Sequence, residues 1–261
     1  MFVDRPGLFK NIFPTSETEQ ENRVIWVKVG SNWPMFALIS DHIVDLLPQG
    51  GSQCFPFYTY ASSSRRENIT DWSLAQFRTH YGDESITKWD IFYYVYGVLH
   101  HPGYREKFAD NLKRELPRIP FAPDFKAFSE AGRKLADLHL NYETVTPYKL
   151  QWLEAKDTPQ SFKVVKMRLS KDKTQLVVNE SLTLAGIPLE VFEYKLGNRS
   201  ALDWVIDQYQ VTTDKRSGIT SDPNRDDDER YIVDLVGRVV AVSVETVKIV
   251  AALPEQYSES Q

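Results

Sequence analysis

Short apolar runs separated by turn-forming residues mark the first sixty residues of the chain. They cover residues 24–29, 36–39, 43–44 and 55–60. Runs of this length, rich in Val, Ile, Phe and Tyr and bounded by Gly and Pro, favour strands. The sequence therefore predicts a small N-terminal sheet. Residues 61–68 are polar and predict a loop, which leads to a helix capped by Thr70 or Asp71.

A helical period replaces this pattern in the middle of the chain. Between residues 89 and 99 aromatic and aliphatic side chains recur at helical spacing, and Thr87 precedes them as a good N-cap. Pro102 suits the first turn of the following helix. Asp124 is predicted to cap a further long helix. A central helical block is thus predicted from about residue 70 to residue 143.

Strand-like segments return after residue 160. They lie at 162–169, 175–179 and 182–184. Lys171-Asp172-Lys173 is predicted to be a hairpin turn, and Ser200 with Asp203 predicts a capping box that opens a short helix. Residues 212–229 are polar and predict a loop. The last apolar segment, 231–253, has a helical period and predicts one or two helices that end at a proline.

Together these segments predict an α+β fold with a small N-terminal β portion, a central helical block and a C-terminal α/β portion. The predicted domains are residues 1–150 and 151–261, or a single composite domain in place of the two. Pro147 and Pro159 favour a linker between them.

Composition places the chain among globular proteins. It has 261 residues, of which 42% are hydrophobic, and a single cysteine, Cys54. One cysteine rules out an internal disulfide framework, and no apolar run approaches the ~20 residues of a membrane span. The first ten residues lack the apolar stretch of a signal peptide. We therefore predict a cytoplasmic protein with no membrane partner.

The charge is acidic overall but unevenly distributed. The formal net charge is -5, yet residues 60–175 hold 19 Lys and Arg against 15 Asp and Glu. A wholly basic nucleic-acid binder is excluded by this balance. A domain that contacts nucleic acid, beside a larger module that supplies more of the phosphate attraction, remains compatible with it.

One long segment, from Asp90 to Phe121, carries a family resemblance. It holds a helix that closes on His100-His101-Pro102, a second helix that ends in Leu116-Pro117-Arg118-Ile119-Pro120, and then a third. Five shorter strings support the match in the same order along the chain: Phe2-Val3-Asp4-Arg5, Phe13-Pro14-Thr15, Gln53-Cys54-Phe55-Pro56, Arg168-Leu169-Ser170-Lys171-Asp172-Lys173 and Phe192-Glu193-Tyr194-Lys195-Leu196-Gly197-Asn198-Arg199-Ser200-Ala201. Together they resemble the C-terminal specificity region of type ISP restriction-modification enzymes over essentially the whole chain.

The resemblance implies a target-recognition domain for double-stranded DNA. Type ISP enzymes join a nuclease, a helicase-like motor, an adenine methyltransferase and such a domain in one polypeptide, so this chain would be their C-terminal piece. Its partners would be DNA and the methyltransferase and helicase-like domains. S-adenosylmethionine, ATP and magnesium would belong to those domains, and no cofactor is expected in this chain.

The residue types and their spacing agree with a role that involves no catalysis. The five histidines and the single cysteine form no HxxxH or CxxC spacing, so we predict no metal site. His100 and His101 are predicted to end a helix. The sequence contains no Gly-rich phosphate loop and no Asn/Asp-Pro-Pro-aromatic motif of amino-adenine methyltransferases. Asp222-Pro223-Asn224 lacks the second proline and predicts a turn. We therefore expect no catalytic residues.

Polar loops with basic side chains are the candidate DNA contacts. Arg presents two donors to guanine and Asn pairs with adenine, whereas Lys and Ser more often hold phosphates. Asp226 to Glu229 form an acidic run that is predicted to precede the last helix and to point away from DNA. The predicted contacts are Arg65, Arg66, Asn68, Lys171, Lys173, Asn198, Arg199, Lys215, Arg216, Ser217, Asn224 and Arg225.

Each loop has a structural alternative, and the function has two. Arg199 could instead stabilise the helix at Asp203, and Arg118 could pair with Glu115. The whole chain could be an interaction module that docks on the methyltransferase or motor through residues 231–253 and contacts no bases. A metal-dependent nuclease would require Asp124, Glu193 and Lys195 to form one site.

Overall fold

The computed structural model describes residues 14–15, 21–30, 33–42, 52–61 and 64–255. Helices and several small sheets give the predicted α+β class. The chain divides into two compact units, residues 1–140 with 249–261 and residues 141–248. The predicted strand at 43–44 and the strings Phe2-Val3-Asp4-Arg5 and Phe13 fall outside the described residues. The predicted domain division at residue 150 stays a prediction.

A three-stranded antiparallel sheet opens the first unit. Its strands are β1 (Val24–Lys28), β2 (Phe36–Ser40) and β3 (Gln53–Pro56), and β1 lies in the middle. Every residue of β1 is buried. A hairpin of β4 (Tyr58–Ala61) and β5 (Ser64–Glu67) follows. The prediction of a loop at 61–68 is therefore wrong at β5, whose exposed polar residues pair through the backbone and give no apolar pattern.

The helical block has the predicted positions and caps. Thr70 caps the first helix, Thr87 and Asp90 form a capping box on the second, and Pro102 stands in the first turn of the third. Asp124 Oδ1 accepts a hydrogen bond from the amide of Ala127 at 2.9 Å at the start of the fifth helix. The helices are α1 (Asp71–Tyr81), α2 (Lys88–His100), α3 (Pro102–Lys107), α4 (Ala109–Leu112) and α5 (Phe125–Leu140).

Helices α2 and α5 approach closely through two glycines. A Cβ atom on Gly132 would lie 1.8 Å from the carbonyl oxygen of Tyr93, and one on Gly97 would lie 2.4 Å from that of Phe128. Both distances are shorter than any packed structure tolerates. Tyr96 is buried at this interface, and its hydroxyl lies 2.7 Å from Nδ1 of His139.

The neighbouring histidines have the structural role that the sequence predicts. His100 ends α2, and its Nδ1 lies 2.9 Å from the carbonyl oxygen of Tyr96. His101 caps the next helix, because its Nδ1 accepts a hydrogen bond from the amide of Tyr104. Both side chains are buried.

The second unit is built on a four-stranded antiparallel sheet and one long helix. The strand order is β6 (Gln151–Glu154), β9 (Leu182–Ala185), β8 (Gln175–Val177) and β7 (Arg168–Leu169). The inner face of the sheet joins a core with helix α7 (Tyr231–Ala251). The remaining elements are a 3-10 helix (Leu189–Glu193), β10 (Lys195–Leu196), β11 (Arg199–Ser200), α6 (Ala201–Gln208), β12 (Thr212–Thr213) and β13 (Thr220–Ser221).

Three features of this unit depart from the sequence predictions. Residues 162–167 do not form a strand. Val164 and Met167 are buried, but the backbone of Val164 forms its hydrogen bonds with the Asn224 side chain and not with a neighbouring strand. The predicted loop at 212–229 contains the pair β12–β13. The apolar segment 231–253 holds one helix, which agrees with the prediction, but most of its buried side chains between Tyr231 and Val244 belong to this unit's own core. That stretch is therefore not the docking surface that the interaction hypothesis assumed.

The hairpin turn at Lys171–Lys173 and the capping box of Ser200 and Asp203 are confirmed. The acidic run 226–229 directly precedes α7, as predicted. Arg118 pairs with Glu115 at 3.1 Å. No helix in the described part of the chain is long and apolar enough to cross a membrane.

Candidate nucleic-acid interface

The segment from residue 163 to residue 173 concentrates positive charge on the second unit. It carries five basic side chains and one acid, Asp172. The carboxylate of Asp172 accepts hydrogen bonds from Ser170 and from the amide and hydroxyl of Thr174, which lower its pKa. That negative charge is therefore held inside its own turn. The basic side chains are all exposed: Lys163, Lys166, Arg168, Lys171 and Lys173.

The β12–β13 pair forms an exposed two-stranded ribbon, residues 212–221. Thr212 lies opposite Ser221 and Thr213 opposite Thr220, and all ten residues are exposed. The hydroxyls of Thr213 and Thr220 are 2.9 Å apart. Because this ribbon has no buried face, its backbone conformation is stabilised by the hydrogen bonds between its two strands, by cross-strand side-chain pairs and by its turn.

Asp214 organises the turn at the tip of the ribbon. Its Oδ1 accepts hydrogen bonds from the amides of Arg216 at 2.9 Å and Ser217 at 2.7 Å, and these bonds lower its pKa. Gly218 has a φ of 72°, in the left-handed region that glycine adopts without strain, and its amide donates to the carbonyl of Asp214. The side chains of Lys215 and Arg216 project from a fixed turn. Neither has a side-chain partner among the described residues.

Both ends of the ribbon are fixed to the basic segment. At one end the amide of Val211 donates to the carbonyl of Val165 at 2.9 Å. At the other end the Asn224 side chain brackets Val164, since Oδ1 accepts from its amide and Nδ2 donates to its carbonyl, both at 2.8 Å. The ribbon therefore rises from the stretch that carries Lys163 and Lys166.

Arg199 is held in place within the second unit. Its guanidinium forms an ion pair with Asp207 at 2.9 Å and lies 5.4 Å from the ring centre of Trp204. It borders a surface recess of about 310 Å³ that Lys166, Asp203 and Gln210 also line. Asp203 is occupied by the capping box with Ser200. The structural alternative for Arg199 thus acts through Asp207 rather than Asp203.

The remaining predicted DNA contacts of the second unit differ in whether their side chains already interact with other residues of the chain. Arg225 lies 3.3 Å from the ring centre of Tyr231, and Lys173 lies 4.7 Å from that of Phe192. Asn224 is used in the bracket on Val164. Lys171 and Asn198 are exposed at turns.

Three predicted contacts lie in the first unit, on and just after the β4–β5 hairpin. Arg65 pairs with Glu21 and lies 4.5 Å from the ring centre of Tyr58. Asn68 donates from Nδ2 to the carbonyl of Pro56 at 3.0 Å. Arg66 is exposed, and its side chain forms no hydrogen bond or ion pair with other described residues.

The sequence predictions omitted four polar or basic residues of this region. Lys163, Lys166 and Gln210 neighbour the residues that fix the ends of the ribbon, and Arg168 lies on β7 of the same basic segment. The signal for the three basic residues was present, because five basic residues in eleven is a local excess. It was overlooked because residues 162–169 were interpreted as a partly buried strand.

The three residues that a metal-dependent nuclease would need lie on different elements. Asp124 caps α5. Glu193 ends the 3-10 helix and Lys195 begins β10, and both are exposed. Throughout the described residues there is no group of three or more His, Cys, Asp or Glu side chains that could hold a metal ion.

Comparison with known proteins gave one family and several solved structures. The model of the type ISP C-terminal specificity domain matches residues 1–235. A nuclease-deletion mutant of the type ISP restriction-modification enzyme LlaGI, in complex with a DNA substrate mimic, is 36% identical, with a TM-score of 0.77 over 96% of this chain and 23% of its own. No curated protein matched the chain.

Two further structures are similar. DrdV in a DNA complex is 40% identical, with a TM-score of 0.81 over 94% of this chain and 26% of its own. The ATP-dependent type ISP restriction-modification enzyme LlaBIII bound to DNA is 30% identical, with a TM-score of 0.83 over 98% of this chain and 17% of its own. The chain therefore spans about a quarter or less of each of these proteins.

Proposed function

The chain belongs to the family of type ISP C-terminal specificity domains, and from this premise we propose that it binds double-stranded DNA in a sequence-specific manner. It would serve as the target-recognition part of a restriction-modification enzyme. The observation that carries the proposal is the match of nearly the whole chain, at 30–40% identity, to three proteins solved with DNA.

The second unit carries two kinds of surface that would suit such recognition. Basic side chains hold phosphates and fix the register of a protein on the duplex, while base edges supply sequence information. The basic segment 163–173 suits the first task and the exposed loops suit the second. The net charge of -5 limits non-specific attraction.

Chemistry would be performed by other domains of the same enzyme. An adenine methyltransferase must take its target base out of the stack, and this step depends on a recognition domain that positions the enzyme at one site. S-adenosylmethionine, ATP and magnesium would bind to the methyltransferase, motor and nuclease domains. This chain would contribute the choice of site.

The proposal is tested by selecting random-sequence duplexes on the purified chain at about 0.15 M salt, where purely electrostatic capture is weakened. Sequencing of the bound pool should show a short enriched motif. A folded chain that enriches no motif, both alone and joined to its methyltransferase, would contradict the proposal.

One observation favours the interaction module as a second candidate. The outer face of the four-stranded sheet carries a row across all four strands, Leu153, Thr183, Val177 and Arg168. Leu153 is 46% exposed and Val177 41% exposed. Two large apolar side chains exposed on one sheet face are suited to contact with another protein domain. A chain that binds the purified methyltransferase but enriches no motif would support this function instead.

A further inference from the structure

We propose that the ribbon, residues 212–221, enters the DNA major groove and that Arg216 at its tip contacts a guanine. This inference rests on the proposed function and assigns the element that distinguishes bases. The major groove is about 12 Å wide and admits a two-stranded β-ribbon. Every residue of the ribbon is exposed, so it can enter a groove without rearrangement of the core.

Arg216 differs from the other candidate arginines of the second unit. Arg199 is paired with Asp207, and Arg225 lies on the Tyr231 ring. The guanidinium of Arg216 has no such partner in the described part of the chain, although its backbone amide is fixed by Asp214. A base contact by Arg216 would therefore break no ion pair, and its two parallel donors match the O6 and N7 acceptors of guanine.

Hydrogen bonds within the chain hold the ribbon in its conformation without DNA. Its turn is closed by Asp214 and Gly218, and its two ends are fixed to adjacent residues, Val164 and Val165. An element that is already held in its binding conformation loses less conformational entropy on association. The Asp214 carboxylate accepts hydrogen bonds within the turn, so its charge is partly satisfied there rather than directed at phosphates.

An exposed apolar side chain on the same ribbon supports insertion. Ile219 is 70% exposed. Apolar side chains contact the C5-methyl group of thymine in the major groove. A thymine near the guanine would cover this side chain, and the ribbon would then recognise two neighbouring base pairs through Arg216 and Ile219.

The test compares enriched motifs and affinities for the full chain and two variants. Arg216→Ala should remove the preference at one or two adjacent base pairs and weaken binding to the best duplex by about 10-fold to 100-fold. Arg216→Lys keeps the charge but loses the paired donors, so it should lose the same preference. The matched control is Lys156→Ala, an exposed cation of the same unit outside the ribbon, which should keep the motif.

The outcomes distinguish a failure of the ribbon inference from a failure of the proposed function on which it rests. If the unmodified chain enriches a motif and Arg216→Ala enriches the same motif with equal affinity, the ribbon inference is wrong and the proposed function stands. If the folded unmodified chain enriches nothing, alone or with its methyltransferase, both are wrong. Circular dichroism of each variant shows that a lost preference does not result from unfolding.

Discussion

At the scale of single residues, several side chains that suit DNA contact are used inside the protein. Asn224 and Asn68 were both predicted to contact bases, and both donate to backbone carbonyls. A sequence shows which side chains have the hydrogen-bond donors that a base contact needs. It does not show which of those donors already bond to other groups of the folded chain. Their contact with DNA stays a prediction, whereas their internal bonds are part of the fold.

Replacement of Asn224 by Ala should lower the free energy of unfolding by about 1–3 kcal/mol, because it leaves the amide and carbonyl of the buried Val164 without these partners. Urea denaturation measures the change. Asn198→Ala, at an exposed turn, should change stability by less than about 0.5 kcal/mol. Equal effects of the two substitutions would contradict this role of Asn224.

His139 should make the fold sensitive to acid. Burial lowers its pKa from 6.5 to about 3, and the nearby charge of Arg105 adds to the effect. The unfolded chain therefore takes up a proton below about pH 6.5 that the folded chain refuses, so stability is present above that pH and is lost as the pH falls towards 3. His100, whose pKa burial also lowers, acts in the same direction.

This dependence is measured as the free energy of unfolding between pH 7 and pH 5 for the unmodified chain and for His139→Gln. The decline with falling pH should be shallower in the variant, by up to about 1.4 kcal/mol per pH unit for the single proton. Identical slopes would mean that His139 titrates alike in the folded and unfolded states.

At the scale of secondary-structure elements, local signals decided which predictions succeeded. The helices at 71–81, 88–100 and 125–140 follow from their caps and periods, which are properties of neighbouring residues. The strands at 64–67, 212–213 and 220–221 consist of exposed polar residues, so they show no apolar alternation that would predict a strand. The close approach of α2 and α5 depends on two distant glycines and was not predicted.

Gly132→Ala should destabilise the first unit, because its Cβ atom would overlap the carbonyl oxygen of Tyr93 and force the two helix backbones apart. Overpacking of this kind costs about 1–3 kcal/mol or more. Thermal denaturation should show a lower midpoint for this variant. Lys134→Ala, two residues further along and exposed, should leave the midpoint almost unchanged.

At the scale of the whole molecule, an acidic chain carries a local basic surface. The α+β class could be predicted from the strand and helix patterns of the segments, and the family from strings that match in order along the whole chain. The candidate DNA-binding surface could be predicted only in part. Its segments are separated by up to sixty residues and are joined by hydrogen bonds such as that between Val164 and Asn224.

The basic segment should govern how DNA binding depends on salt. Removal of Lys163 and Lys166 together should reduce the slope of log affinity against log salt by about two and leave the enriched motif unchanged, because phosphate contacts carry no sequence information. Binding titrations at several salt concentrations measure the slope. An unchanged slope, or a changed motif, would contradict the assignment of these lysines to phosphates.

The way in which the ribbon is fixed also bears on how its target preference could be changed by substitution. The bonds that fix it come from Val211, Asn224 and the Asp214 turn, whereas the side chains of Lys215 and Arg216 support nothing. Substitutions at these two positions are therefore nearly neutral for folding. On the proposed role of Arg216, substitutions at the tip should change the target preference and leave the fold intact, so a library confined to Lys215 and Arg216 is a natural starting point for engineering a new preference.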